Sequence, residues 1–476
     1  MRLSLWLRSC VFVALAVAGG ACAGSDQETP QAVDTRPNII VIQADDLGYG
    51  DIGPYGQTRF ATPNLDELAA EGIRFTSYYS GSTVCAPSRA TLMTGQHTGH
   101  SWIRGNGEIP LREEDVTLAM TLANAGYRTA QVGKWGLGRE GTAGLPNVKG
   151  FEYSFGVLDH RQAHRQYTEF LHRNGERVPV DLDQDYVNDL FTEEALEYIA
   201  RQDDRPFFVY LNYTVPHAEL RPPEEALAKF RGQFEEPKPY VNEAADARPP
   251  GYEDRSLGYR SQPTPRAAFA AMVTRLDEHV GRVVDAIDAA GLGANTLVLF
   301  MSDNGPHREG GADPEFFGSS GPLRGIKRDL YEGGIRVPMI ARWTGTVPAG
   351  QVSDHPWAHW DLLPTLATLA GVSPPDGIDG MSMATALRGE PQETHEFFYW
   401  EFHERGFQQA VRMGSWKAVR LEAGAPLELY DLAADLGETT NVAADNPNVV
   451  AHIETYLQSA RTPSDRWQTP EEQEVR

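Results

Sequence analysis

Apolar and polar positions along the first two-thirds of the chain follow two alternating rhythms. Short segments rich in apolar residues read as strands of a sheet buried on both faces. They are Asn38-Ile39-Ile40-Val41-Ile42-Gln43, residues 127–132, residues 206–211, Thr296-Leu297-Val298-Leu299-Phe300-Met301 and residues 337–341. Helical stripes lie between them. Leu65, Leu68 and Ala69 share one face, with Thr62 as a cap, Pro63 in the first turn and Gly72 as the stop. Thr117 to Ala125 repeats the device, closed by Gly126, and Met272, Leu276, Val280, Val283 and Ile287 form a longer stripe ending at Gly291. This alternation predicts an α/β fold, with a large mostly parallel central sheet flanked by helices.

The rhythm breaks in two places. Residues 221–266 carry Pro222, Pro223, Pro237, Pro239, Pro249, Pro250, Pro263 and Pro265 in a polar, aromatic-containing insert, either a functional loop or a surface excursion. A boundary is expected within residues 371–380. It divides a large domain, 36–375, from a smaller C-terminal α+β subdomain, 376–476, containing an antiparallel sheet with 414–420 as one strand. About 440 residues exceed the ~250–300 that one core usually serves.

The N-terminus has its own pattern. Arg2 and Arg8 precede the apolar run Val11 to Ala18, so residues 1–23 read as a signal peptide and 24–35 as a polar tether. Gly20-Ala21-Cys22 partly matches a lipoprotein cleavage box, which would put a lipid anchor on Cys22. Ordinary cleavage after Ala21 or Ala23 is the alternative. Either route predicts export, to the periplasm or cell surface or as an outer-membrane lipoprotein. No later stretch is apolar enough to span a bilayer. The net charge of −24 argues against nucleic-acid binding and means that any anion site must be locally positive.

Composition then singles out Cys85. The other two cysteines, Cys10 and Cys22, lie in the export segment, so the exported part has no internal disulfide. Val84-Cys85-Ala86-Pro87-Ser88-Arg89 places position 85 at a helix start, where free amides and the helix dipole favour anions. A lone thiol there suits a nucleophile position. Polar residues also gather just beyond the predicted strands: Asp45 and Asp46, Lys134, His217, and Asp303 with Asn304. Ligand sites of open α/β sheets lie at such strand ends. Asp45, Asp46, Asp303 and Asn304 offer only oxygen donors, which suits Ca²⁺, with Mg²⁺ second. Arg89 can fork onto two oxygens of an anion, and Lys134 and Lys327 add charge.

These motifs carry a resemblance. Cys85-Ala-Pro-Ser-Arg89-Ala-Thr-Leu-Met-Thr94-Gly95 resembles the signature of type I sulfatases, of the alkaline phosphatase superfamily. Gly133-Lys134-Trp135, Asp303-Asn304-Gly305, residues 331–338 and residues 429–432 resemble the same family. The resemblance makes 36–375 the catalytic domain. It implies that Cys85 is oxidised to Cα-formylglycine by a maturation enzyme. One hydrate oxygen would attack sulfur and displace the alcohol, and the other would then release sulfate and restore the aldehyde. It further implies that Asp45, Asp46, Asp303, Asn304 and position 85 bind the metal, and that Arg89 supports the formylglycine. Lys134 and Lys327 would hold sulfate oxygens, and His217 would protonate the leaving group.

One departure stands out. Where the family often has Gly-Lys-Trp-His-Leu-Gly, this chain has Gly133-Lys134-Trp135-Gly136-Leu137-Gly138. His160, His164 and His307 are candidates to replace the absent imidazole; structural hydrogen bonding is the competing role for His160 and His164. Trp102 and Arg104 either contact the sugar of a substrate or are buried structural residues. The tail motif around Tyr430 is expected to pack between the two domains. The expected activity is hydrolysis of sulfate monoesters on a sulfated carbohydrate. The rivals are a phosphonate monoester hydrolase or phosphodiesterase of the same superfamily, and a non-catalytic sulfated-glycan binding protein.

Overall fold

The apolar run beginning at Asn38 forms the strand Asn38–Asp45 at the centre of a ten-stranded sheet. The computed structural model describes residues 36–201, 203–248 and 257–474. The signal-peptide, lipid-anchor and tether expectations fall outside these residues. The described residues form one compact unit. Across the described sheet the strands run Gln351–Ser353, Ile73–Phe75, Met339–Arg342, Thr296–Ser302, Asn38–Asp45, Phe207–Pro216, Arg128–Lys134, Tyr153–Val157, Phe170–Arg173 and Glu176–Pro179. The five from Thr296–Ser302 to Tyr153–Val157 are mutually parallel, and antiparallel pairings extend the sheet on both sides.

The continuous hydrophobicity of the central strand has a simple cause. Ile40 and Ile42 face one apolar layer, with Val209, Leu211, Leu276, Val280 and Val283. Ile39 and Val41 face the other, with Phe208, Tyr210, Leu122, Leu362 and Leu366. The predicted stripe at 272–287 lies on the helix Pro265–Ala289, which covers the first face. Thr117 caps Leu118–Asn124 as expected, its side chain accepting from the Met120 amide. Thr62 does not cap Pro63–Ala70. Its hydroxyl instead accepts the Gly53 amide, so that helix start is held by a neighbouring turn. The insert is more ordered than its prolines imply: it holds the helices Glu224–Ala228 and Glu243–Asp246, and Tyr240 and Gln262 exchange backbone hydrogen bonds.

A second, antiparallel sheet comprises Phe398–Phe402, Gln408–Met413, Trp416–Arg420 and Glu428–Asp431. Ionic contacts with the segment Tyr331-Glu332-Gly333-Gly334-Ile335-Arg336 tie it to the large sheet. Lys417 Nζ, fully buried, reaches Glu332 Oε1 at 3.0 Å and Glu438 Oε1 at 3.4 Å. Tyr79 donates to Glu332 Oε2, and Arg412 donates to the Tyr79 hydroxyl. The Tyr430 hydroxyl accepts from Arg324. Gly334 lets this segment fold tightly on its own loop, since a Cβ there would lie 2.0 Å from the Asp329 carbonyl.

Replacing Lys417 with Met removes the ammonium that meets both Glu332 and Glu438. Loss of one partner from a buried ionic group costs about 3–5 kcal/mol. Urea denaturation should show a destabilisation of that order, and a change below about 1 kcal/mol would contradict this role for the network.

Candidate active site

The parallel register brings the strand ends to one level. Asp45 pairs with Pro216, and the Asp303 amide donates to the Ala44 carbonyl. Lys134 is the last residue of its own strand, and His217 directly follows Phe207–Pro216. Asp46 has φ 64°, a left-handed turn that Asp tolerates better than most residues and that ends the strand immediately after Asp45. All nine predicted site residues converge and are buried there.

Cys85 is the first residue of the helix Cys85–Thr94, closed by Gly95 at φ 70°. Its Sγ lies 3.4 Å from Asp45 Oδ1 and 3.8 Å from Asp46 Oδ1. The Ala86 amide is not free for an anion. It donates to Asn106 Oδ1 at 2.9 Å, so a distant loop caps this helix start. Arg89 forks onto Asp303 Oδ2 through Nε at 3.0 Å and an Nη at 2.8 Å, and donates to the Lys134 carbonyl. Lys134 Nζ meets Asp45 Oδ2 at 2.7 Å, and Lys327 Nζ meets Asp46 Oδ2 at 2.6 Å. Lys327 also donates to His217 Nε2 at 3.0 Å, while His217 Nδ1 donates to the Ala218 carbonyl.

Three buried carboxylates thus meet three buried cations. Burial alone would raise Asp45, but Lys134, with His217, Arg89 and Lys327, holds its carboxyl well below the usual range. Burial, joined by the charge of Asp45, pushes Asp303 up to about 7 despite Arg89. Carboxylates this close favour a cation among them. The donor set fits one. Asp45, Asp46, Cys85 and Asp303 each offer a ligand atom within 4.8 Å of the others. Asn304 Oδ1 is buried without a hydrogen-bond partner among the described residues. A divalent cation would take the formal charge of the cluster from zero to +2.

Burial also pushes the Cys85 thiol well up, against the opposing pull of Lys134 and Lys327. An unmodified Cys85 is therefore a neutral thiol, not a thiolate nucleophile. Burial, followed by Lys327, pushes His217 down, so it rests as a neutral imidazole.

Several contributors escaped the sequence reading. Asn106 reaches the helix start from 20 residues beyond Ala86. Ser88 Oγ donates to the Asp303 carbonyl at 2.5 Å and lies 2.9 Å from His359 Nδ1, a partner 271 residues away with no local signal. Arg104 is a structural residue, paired with buried Glu401 at 2.9 Å. Trp102 donates to the Pro110 carbonyl. His307 is held by the Pro216 carbonyl and the Glu309 amide. His164 stacks on His217 with ring centroids 4.0 Å apart.

Comparison with known proteins names the class to which this fold and this charged cluster belong. Residues 37–372 match the sulfatase family model, and residues 326–462 match the model described as N-sulphoglucosamine sulphohydrolase, C-terminal. The chain is 32% identical to N-acetylgalactosamine-6-sulfatase of Canis lupus familiaris, over 86% of this chain and 74% of that one. It is 34% identical to arylsulfatase A of Homo sapiens, over 88% and 86%. The crystal structure of Ps i-CgsB in complex with k-i-k-neocarrahexaose superposes with a TM-score of 0.75 at 29% identity, over 92% of this chain and 96% of that one. The chain belongs to the sulfatase family, whose members are sulfuric ester hydrolases.

In protein produced without maturation, Cys85 should alkylate with iodoacetamide far more slowly than free cysteine at pH 8 and become labelled on unfolding. Mass spectrometry of the peptide containing position 85 reads this. Rapid labelling of the folded protein would contradict the buried, neutral thiol.

Proposed function

We propose that the protein hydrolyses sulfate monoesters on sulfated carbohydrates, with Cys85 matured to Cα-formylglycine and Ca²⁺ held by Asp45, Asp46, Asp303, Asn304 and position 85. The observation that carries this reading is the buried set of three carboxylates and three cations around a helix-start residue. Such a site concentrates positive charge in a protein of net charge −24 once a divalent cation joins it. Formylglycine hydrate would supply the nucleophilic oxygen, and the cation would act as a Lewis acid toward the sulfate oxygens.

The remaining work falls to side chains. Lys134 and Lys327, each anchored by a carboxylate, would hold sulfate oxygens as charge develops. Arg89 fixes Asp303 and so the cation side of the site. Lys327 donates to His217 Nε2, so a proton for the departing alcohol is available from this pair. Tyr259, with its ring centroid 6.0 Å from that of His217, brings the insert to the same side chain and would face the alcohol. The N-terminal pattern supports export, with residues 1–23 as signal peptide and Cys22 as a possible lipid anchor. No described helix is long and apolar enough to cross a membrane.

The deciding experiment begins with protein from a host that forms formylglycine. Mass spectrometry should show the modification at position 85, and sulfate esters should be hydrolysed in preference to phosphodiesters and phosphonates of the same leaving group. The reverse preference would favour the phosphonate or phosphodiester reading; glycan binding without turnover by modified protein would favour the non-catalytic one.

His217→Ala should lower kcat by about 10²–10⁴-fold on esters with poor leaving groups, and less on activated aryl sulfates. Equal losses on both would argue against proton donation by this pair.

Removing divalent cations with a chelator should lower the melting temperature. Restoring Ca²⁺ to about 100 times its Kd should return about 2.7 kcal/mol of stability. A larger recovery with Mg²⁺ would reassign the ion.

A further inference from the structure

Gly136 and His160 occupy one space. Gly136 lies two residues beyond Lys134 with φ 77°. A Cβ built on it would lie 2.3 Å from His160 Cε1 and 2.6 Å from His160 Nε2. A side chain at 136 and the imidazole of His160 therefore exclude one another. The backbone makes the meeting inevitable. The Trp135 and Gly136 amides donate to the Val157 and Leu158 carbonyls, so the strand holding Lys134 runs alongside the segment that leads into the helix His160–Ala163. Asp159 caps that helix by accepting from the Gln162 amide, which fixes where the His160 side chain begins.

The ring packs against Gly136, beside the strand end that carries Lys134. His164 lies four residues on, next in the same helical turn, and stacks on His217. Burial, followed by the charges of Lys134 and Arg89, holds the His160 ring neutral. His160 is 8% exposed, and neither ring nitrogen has a hydrogen-bond partner among the described residues. A buried imidazole normally satisfies at least one nitrogen, and leaving it unpaired costs about 1–3 kcal/mol. The other two candidate histidines are engaged: His307 holds the Pro216 carbonyl and the Glu309 amide, and His164 is stacked on His217. Packing alone is poorly served by an imidazole here, since an apolar side chain would fill the space without two unsatisfied nitrogens.

We propose that His160 is a positioning residue of the sulfatase site. From a separate helix it supplies the imidazole that position 136 lacks, and it hydrogen-bonds an oxygen held beside Lys134 during the reaction. Gly136 is then the receiving half of a matched pair. The inference rests on the sulfate-ester reading given above.

The test uses full-length enzyme with formylglycine confirmed by mass spectrometry in every variant. His160→Ala and His160→Gln should each lower kcat by about 10–100-fold, the range for outer-shell partners, with KM changed less than threefold. Gly136→His alone forces two rings into one space and should lower both melting temperature and activity. Gly136→His combined with His160→Ala should recover at least tenfold in kcat over His160→Ala, since His tolerates the left-handed region better than most residues. Activity of His160→Ala within twofold of wild type overturns the proposal. So does a double variant that regains the melting temperature without regaining kcat, because His160 would then only fill space. If the double variant does not fold, His160→Gln decides: a tenfold or greater loss at unchanged melting temperature supports the proposal, and a smaller loss overturns it. Wild-type enzyme that carries formylglycine yet hydrolyses no sulfate ester would overturn the functional reading and this inference together. An active wild type indifferent to His160 overturns the inference alone.

Discussion

Three carboxylates buried beside three cations set the terms for the rest of the molecule. Asp45, Asp46 and Asp303 face Lys134, Lys327 and Arg89 with almost no exposure to water. Each charge alone would be expensive to bury, and each is tolerable only while its partner stays in place. The cluster therefore demands a rigid frame. The parallel register of the central strands supplies it by ending Asn38–Asp45, Arg128–Lys134, Phe207–Pro216 and Thr296–Ser302 at one level. Apolar layers on both faces hold that register, because a one-residue slip would turn Ile40 and Ile42 toward the layer that Ile39 and Val41 occupy.

Lys327 is not on the sheet, and its placement requires a second device. The segment that carries it is folded tightly against the Asp303-Asn304-Gly305 turn. The Gly305 amide donates to the Gly334 carbonyl, and the Lys327 amide donates to the Pro306 carbonyl. Glu332, two residues before Gly334, is clamped by Lys417 from the small sheet. The antiparallel sheet thus bears on the chemistry without contributing a ligand: it holds the loop that holds the lysine. This gives the buried Lys417–Glu332 contact a physical role in a protein where a well-packed apolar pair would cost less to bury.

The role proposed for His160 would keep an imidazole at the site although position 136 carries none. An imbalance at one position is met by a side chain from a neighbouring segment, provided the backbone leaves room. The glycine leaves that room, and the carbonyls of Val157 and Leu158 bring the helix alongside. A comparison restricted to the Gly-Lys-Trp segment would read only a loss.

Much of this protein was legible in the chain. The strands at 38–45 and 296–302, the long helix 265–289 and the helix start at Cys85 follow from local hydrophobic period, proline and glycine, since their buried faces are written in consecutive residues. Eight of the nine candidate site residues were legible for a different reason: polar residues at strand ends, and a signature around Cys85, are short-range patterns, whereas Lys327 lies off the sheet. What the sequence could not determine involves partners far apart in the chain. Thr62 caps as a residue type, yet its hydroxyl is taken by Gly53. Ala86 should offer a free amide, yet Asn106 occupies it. Three histidines were equivalent candidates, and only the packing of one against Gly136 distinguishes them. Local order is set by the steric and hydrophobic preferences of neighbouring residues. The choice among equivalent side chains was made by tertiary packing, because only there do exclusion and hydrogen bonding between distant segments act.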